Sequence, residues 1–150
     1  IGSSTFKNAN IESLSIEASV YSISNNAFDS CTSLKSINLG NVTEIGENAF
    51  LNCKNLTNVV FSSSPTLDSY CFANTGIKSF ATNNKINVLQ NAFNGCFLEE
   101  FNCPNAAVSS YALGDSSKIE TLIFSTTQES SINQLFTTST TNAVRSITTG

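Results

Sequence analysis

An aromatic residue returns through this chain at a nearly constant interval, and that interval decides what the chain can fold into. Phe6, Phe28, Phe50, Phe72 and Phe93 are continued by Leu113 and Phe136, in steps of 22, 22, 22, 21, 20 and 23 residues. The preceding position holds Thr5, Ala27, Ala49, Cys71, Ala92, Ala112 and Leu135, so the unit is a pair rather than a single residue. A fixed period of this size predicts a repeat solenoid, in which each repeat is one coil stacked on the next.

Three further features keep phase with the pair. An aliphatic residue stands five before its second member, at Ile1, Ile23, Ile45, Leu67, Val88 and Val108, with Ile132 displaced by one before Phe136. A small or polar residue stands three after it, at Cys31, Cys53, Thr75, Cys96 and Ser116. Next comes an apolar pattern whose last two members are two apart, as in Leu34-Ile37-Leu39, Leu56-Val59-Phe61 and Ile119-Leu122-Phe124. Residues two apart on a strand share a face, so this segment reads as one parallel strand per coil. The pair and the Cys are spaced to meet the core on a short helical turn. Gly40-Asn41, residues 62–65, Asn83-Asn84 and Pro104-Asn105 supply turns between coils.

One coil cannot bury its apolar face alone, so stability must come from stacked neighbours. The expectation is a single array over residues 1–150 of about seven repeats, belonging to a longer array, because Ile1 is already in phase and no polar cap is visible. The last unit fits worst, which predicts the greatest irregularity from Gln128 to Asn142.

Composition excludes several function classes. A net charge of -4, with seven Lys and Arg scattered from Lys7 to Arg145, provides no concentrated positive surface for nucleic acid. No apolar run reaches the length of a membrane span, so no direct membrane insertion by this segment is expected. The absence of His removes the Ser-His-acid and Cys-His arrangements. Glu99-Glu100 is an adjacent acidic pair, but neighbours on a strand point to opposite faces and do not converge on one substrate. No phosphate-binding glycine motif occurs. Cys31, Cys53 and Cys96 follow the repeat period instead of a metal-ligand spacing, and Cys71 and Cys103 replace core residues. No catalytic, cofactor or metal site is expected, and the chain reads as a non-enzyme. Asn41 and Asn55 open the two N-x-[ST] sequons, of which Asn41 is the better placed because Asn55 precedes a core Leu.

The run Ile45-Gly46-Glu47-Asn48-Ala49-Phe50, with Cys53 and Leu56-Thr57-Asn58-Val59 after it, resembles the repeat of BspA-like, treponemal-type leucine-rich repeat proteins. The resemblance covers essentially the whole chain and is strongest from Val20 to Phe61. Departures are mild: the proline that commonly follows the strand is present at Pro104 only, and Leu113 replaces Phe. The resemblance implies a curved leucine-rich repeat solenoid, with a parallel β-sheet on the concave face and short helical turns and extended segments elsewhere. It also implies large surface proteins of host-associated bacteria and some parasitic protists, which adhere to host proteins or cells. The family's motif residues are structural, so none transfers as a binding site.

On such a sheet the solvent-facing residues form columns. One column holds Ser13, Ser36, Asn58, Ser79, Glu100, Thr121 and Ser146, and a second holds Ser15, Asn38, Val60, Ala81, Asn102, Ile123 and Thr148. Within them Asn38, Asn58, Val60, Ala81, Glu100, Asn102 and Ile123 form the candidate partner surface, with Val60, Ala81 and Ile123 as an apolar strip. These columns lack the Trp, Tyr and Arg that anchor tight interfaces, so weak contacts adding by avidity are expected. Tyr70 and Tyr111, two before the Phe position, offer a second surface. The function expected is a non-catalytic protein-binding module at the cell surface or secreted, taking a host or extracellular-matrix protein. The alternative is an intracellular scaffold or spacer in a large assembly.

Overall fold

The computed structural model describes residues 1–115, 119–124, 134–136 and 146–149. Most of the Gln128–Asn142 stretch, where irregularity is expected, lies outside the described residues. In chain order the strands are β1 (Ser13–Ser15), β2 (Ser22–Ile23), β3 (Ser36–Asn38), β4 (Glu44–Ile45), β5 (Asn58–Val60), β6 (Thr66–Leu67), β7 (Ser79–Ala81), β8 (Asn87–Val88), β9 (Glu100–Cys103), β10 (Ala107–Val108), β11 (Thr121–Phe124) and β12 (Ser146–Thr149). Odd-numbered strands from β1 to β11, with β12, come from the apolar pattern of each repeat. Even-numbered strands from β2 to β10 end on, or at, the lone aliphatic residue. Every pairing is parallel and joins equivalent strands of consecutive coils, as in Ile23↔Ile45 and Ile37↔Val59, with β5 and β7 the one exception among the described strands. The result is a parallel β-solenoid of the leucine-rich repeat type.

The turn around the Ala-Phe pair differs from the expected helical one. Among the described residues it contains no α-helix. Successive N–H groups alternate between two targets. Ala27, Asp29 and Cys31 donate to the carbonyls of Ser24, Asn26 and Phe28 within the coil, at 3.2, 3.1 and 3.1 Å. Asn26, Phe28 and Ser30 donate outward to Glu47, Ala49 and Leu51 of the next coil, at 3.0, 2.8 and 2.8 Å. A helix would spend every donor internally, whereas this alternation builds a third ladder between coils. It requires left-handed backbone two residues before and two after each Phe. Asn26 and Ser30 have φ of 59° and 61°, and Asn48 and Asn52 have 57° and 60°. Asn tolerates that region because its short side chain hydrogen-bonds locally, which accounts for asparagine at so many of these corners.

Side chains from the three faces fill one core. Phe28, Phe50, Phe72 and Phe93 are fully buried, and consecutive rings from Phe6 to Phe93 stack with centroids 5.1, 5.0, 5.2 and 5.7 Å apart. That spacing is close to the ~4.8 Å between neighbouring strands, so the stacked rings keep step with the coils. Further along, Phe80 and Phe101 enter from β7 and β9, with Phe80 meeting Phe93 edge-on at 4.8 Å. Phe80 compensates for Thr82, which occupies the core position held by Leu39 and Phe61 in earlier coils.

One face is interrupted. The strand sheet is continuous as β1-β3-β5 and again as β7-β9-β11-β12, but β5 and β7 are not paired. The even-numbered sheet runs unbroken past the same level as β2-β4-β6-β8-β10. The interruption falls where the connection shortens: six residues separate Phe50 from Leu56, but five separate Phe72 from Ile77. Gly76 sits in that tight connection, where a Cβ would stand 2.7 Å from the Lys54 carbonyl oxygen. We predict that Gly76→Ala lowers stability by about 1–3 kcal/mol through overpacking against backbone. Phe50→Ala is expected to cost about 3–5 kcal/mol by leaving a cavity in the ring stack. Both are read from urea unfolding midpoints.

Candidate functional site

The sheet-face columns stand in the order that the repeat phase predicts. Ser15, Asn38 and Val60 are neighbours in register, and so are Ala81, Asn102, Ile123 and Thr148. In the other column Asn58 pairs with Ser36, and Glu100 lies between Ser79 and Thr121. Asn38, Asn58, Val60 and Ala81 are exposed, while Glu100, Asn102 and Ile123 are half-buried. The apolar strip is not continuous: Asn102 stands between Ala81 and Ile123, and the unpaired step between β5 and β7 separates Val60 from Ala81. What the face offers is two short patches, Asn38-Val60 and Ala81-Asn102-Ile123.

Charged residues beside these columns neutralise one another. Lys35 pairs with Glu12 at 2.8 Å and Lys78 with Glu99 at 3.1 Å, each linking consecutive coils. Glu100 accepts a hydrogen bond from the Ser79 hydroxyl at 2.6 Å. Glu99 and Glu100 thus serve separate neighbours and do not form an acid-base pair. Among the described residues no three His, Cys, Asp or Glu side chains are grouped to hold a metal ion. No described helix is long and apolar enough to cross a membrane.

The cysteines belong to the core. All five are free and buried. The thiols of Cys31, Cys53 and Cys96 donate to the carbonyls of Phe6, Phe28 and Phe72 in the preceding coil, at 2.9, 3.1 and 3.0 Å. Burial pushes the Cys53 thiol up to about 12, with Cys31 adding to it, and pushes Cys103 up to about 12. Burial also raises Cys96, to about 11, against the lowering effect of its hydrogen bond with Thr75. Cys31 and Cys71 move in the same direction for the same first cause. In the unfolded chain a thiol ionises near pH ~8.5. Above that pH the folded state holds protons that the unfolded state has lost, so stability falls as pH rises from about 8.5 toward 12. The expected outcome is a urea midpoint that drops through this alkaline range, with no thiol reacting with Ellman's reagent in the native protein at about pH 8 and all five reacting in urea.

Asparagine amides tie coils together as well. Asn41, Asn55, Asn84 and Asn105 donate to carbonyls of Ala18, Thr32, Ser63 and Asn83, at 3.3, 2.8, 2.6 and 2.8 Å. Both sequon asparagines are therefore exposed residues whose side-chain nitrogen is already engaged.

Three exposed aromatics break the rule that left-handed corners carry Asn, Ser or Gly. Tyr70, Tyr111 and Phe97 have φ of 57°, 60° and 55°. They are 37%, 42% and 52% exposed. A bulky residue in this region stores about 1–3 kcal/mol of strain. Tyr70 and Tyr111 lie at the same corner of their coils, and the Tyr70 hydroxyl accepts a hydrogen bond from the Asn91 amide at 3.0 Å. Phe97 is the residue that the periodic reading missed. The available signal was its position, four after the core Phe93 and directly before Leu98, where no repeat feature calls for an aromatic.

A stack of coils, each giving two short parallel strands and a turn that buries the Phe-position side chain, defines a leucine-rich repeat solenoid. The family described as BspA type leucine-rich repeat region matches residues 1–120 and 66–148, in 6 copies, and this chain belongs to it. No curated protein and no solved structure matches the chain significantly.

Proposed function

We propose that this chain is a non-catalytic protein-binding module that acts at the cell surface or in secreted form, adhering to a host or extracellular-matrix protein. The observation that carries the reading is the sheet face. Its strands satisfy one another's backbone groups along each ladder, its apolar side chains are buried on the other side, and what faces outward is a registered set of exposed and half-buried residues without an aromatic among them: Asn38, Asn58, Val60, Ala81, Glu100, Asn102 and Ile123. Membership of the BspA-type family supports a binding role for such a face. A face without aromatic anchors favours contacts that are individually weak and gain strength by repetition along an array.

A second reading, a spacer within an intracellular assembly, is favoured by five buried cysteines that are all unpaired. The two separate on where the segment is exposed. Antibody against it stains intact native cells under the first reading, and only permeabilised cells under the second. For the surface itself, the double variant Val60→Asp, Ala81→Arg adds charge at two exposed positions. Adhesion of protein-coated beads to host cells is expected to fall about tenfold or more, about 1.4 kcal/mol, with the unfolding midpoint unchanged. Undiminished adhesion would remove the sheet face from the binding role.

A further inference from the structure

Away from the sheet face, an open groove of about 460 Å³ is lined by Asn52, Lys54, Asn74, Thr75, Gly95 and Phe97. Three features meet in it. Phe97 turns its ring outward, 52% exposed, from a backbone conformation with φ of 55° that phenylalanine rarely adopts. Lys54 has no carboxylate partner among the described residues, a condition it shares with Lys85, whereas Lys7, Lys35 and Lys78 each have one. Finally, the row of amides ends here. Asn74 donates to the Asn52 side-chain oxygen at 3.1 Å, and the next coil carries Gly95 in the same place. A Cβ at Gly95 would lie 2.2 Å from the Asn74 side-chain oxygen, so that oxygen occupies the space a side chain there would fill. The Asn52 amide nitrogen and the Asn74 side-chain oxygen, neither hydrogen-bonded among the described residues, belong to side chains that line the groove together with Phe97 and Lys54.

We propose that this groove binds an acidic saccharide. A sugar ring bearing a carboxylate presents an apolar face for the Phe97 ring, a negative charge for Lys54, and neighbouring hydroxyls that both accept from Asn52 and donate to Asn74. Such placement of a few polar groups around an apolar platform is how small-ligand sites fix orientation. An acidic peptide side chain would engage Lys54 but leave the ring and the two amides unmatched. Strain held at an exposed aromatic is also more economical as part of a site than as part of the fold, since Gly or Asn would fit φ there without it.

The test titrates the isotope-labelled chain with oligogalacturonate, hyaluronan oligosaccharides and sialyllactose, with neutral cello-oligosaccharides and polyglutamate beside them. Binding of at least one acidic sugar is expected to shift the backbone amides of Asn74, Gly95 and Phe97, and to weaken as salt is raised. Phe97→Gly suits the local backbone, so it is expected to keep a native amide spectrum while weakening binding about tenfold; Lys54→Gln is expected to weaken it less and to remove most of the salt dependence. Failure of every acidic sugar to shift these amides overturns the proposal. So does unchanged binding by Phe97→Gly, or equal binding of polyglutamate, which would assign the groove to acidic peptides.

Discussion

Everything in this structure depends on how a coil of about 22 residues disposes of its backbone polar groups when most of it is buried. A buried amide or carbonyl without a partner is expensive, and a coil this short cannot satisfy itself. The solution is to hand bonds to the neighbour on all three sides: two sets of strands, and a turn whose alternate N–H groups point along the stack. Once the turn must alternate, left-handed residues are needed at fixed places, and the chain fills them mainly with Asn and Ser. The polar composition of the sequence is thus a product of the bonding scheme as much as of exposure to water.

The same constraint explains the cysteines. At Phe6, Phe28 and Phe72 the carbonyl receives an N–H from its own coil and a thiol from the next, which uses both of its lone pairs. Cysteine is small and apolar enough for a position with almost no exposure, yet still donates weakly. Thr75 fills the equivalent place one coil after Cys53, but its hydroxyl bonds to the Cys96 sulfur at 3.2 Å instead of to a Phe carbonyl.

Much of the fold was legible in the sequence because its signals are periodic side chains. The coil length, the ring stack at Phe28, Phe50 and Phe72, the odd-numbered strands, and the columns through Asn38 and Val60 all follow from phase alone. The conformation of the turn was not legible, since a spacing of three from Phe28 to Cys31 fits a helix and an alternating turn equally well. Nor was the second sheet, because a strand as short as Ser22–Ile23 shows one apolar residue and no period of its own. The gap between β5 and β7 left only a one-residue shortening as its trace. For the candidate surfaces, periodicity found the sheet face but passed over Phe97, whose interest lies in being out of phase.

The unpaired step between β5 and β7 also makes the stack mechanically uneven. Opening the strand face at that level breaks no sheet bonds there, while bending the other way must stretch or crowd the continuous β6-β8 sheet and the ring contact between Phe72 and Phe93. Among the described residues this step therefore gives the array a soft direction. A partner lying across both Val60 and Ala81 would sense that compliance, because its two footholds stand on opposite sides of the joint.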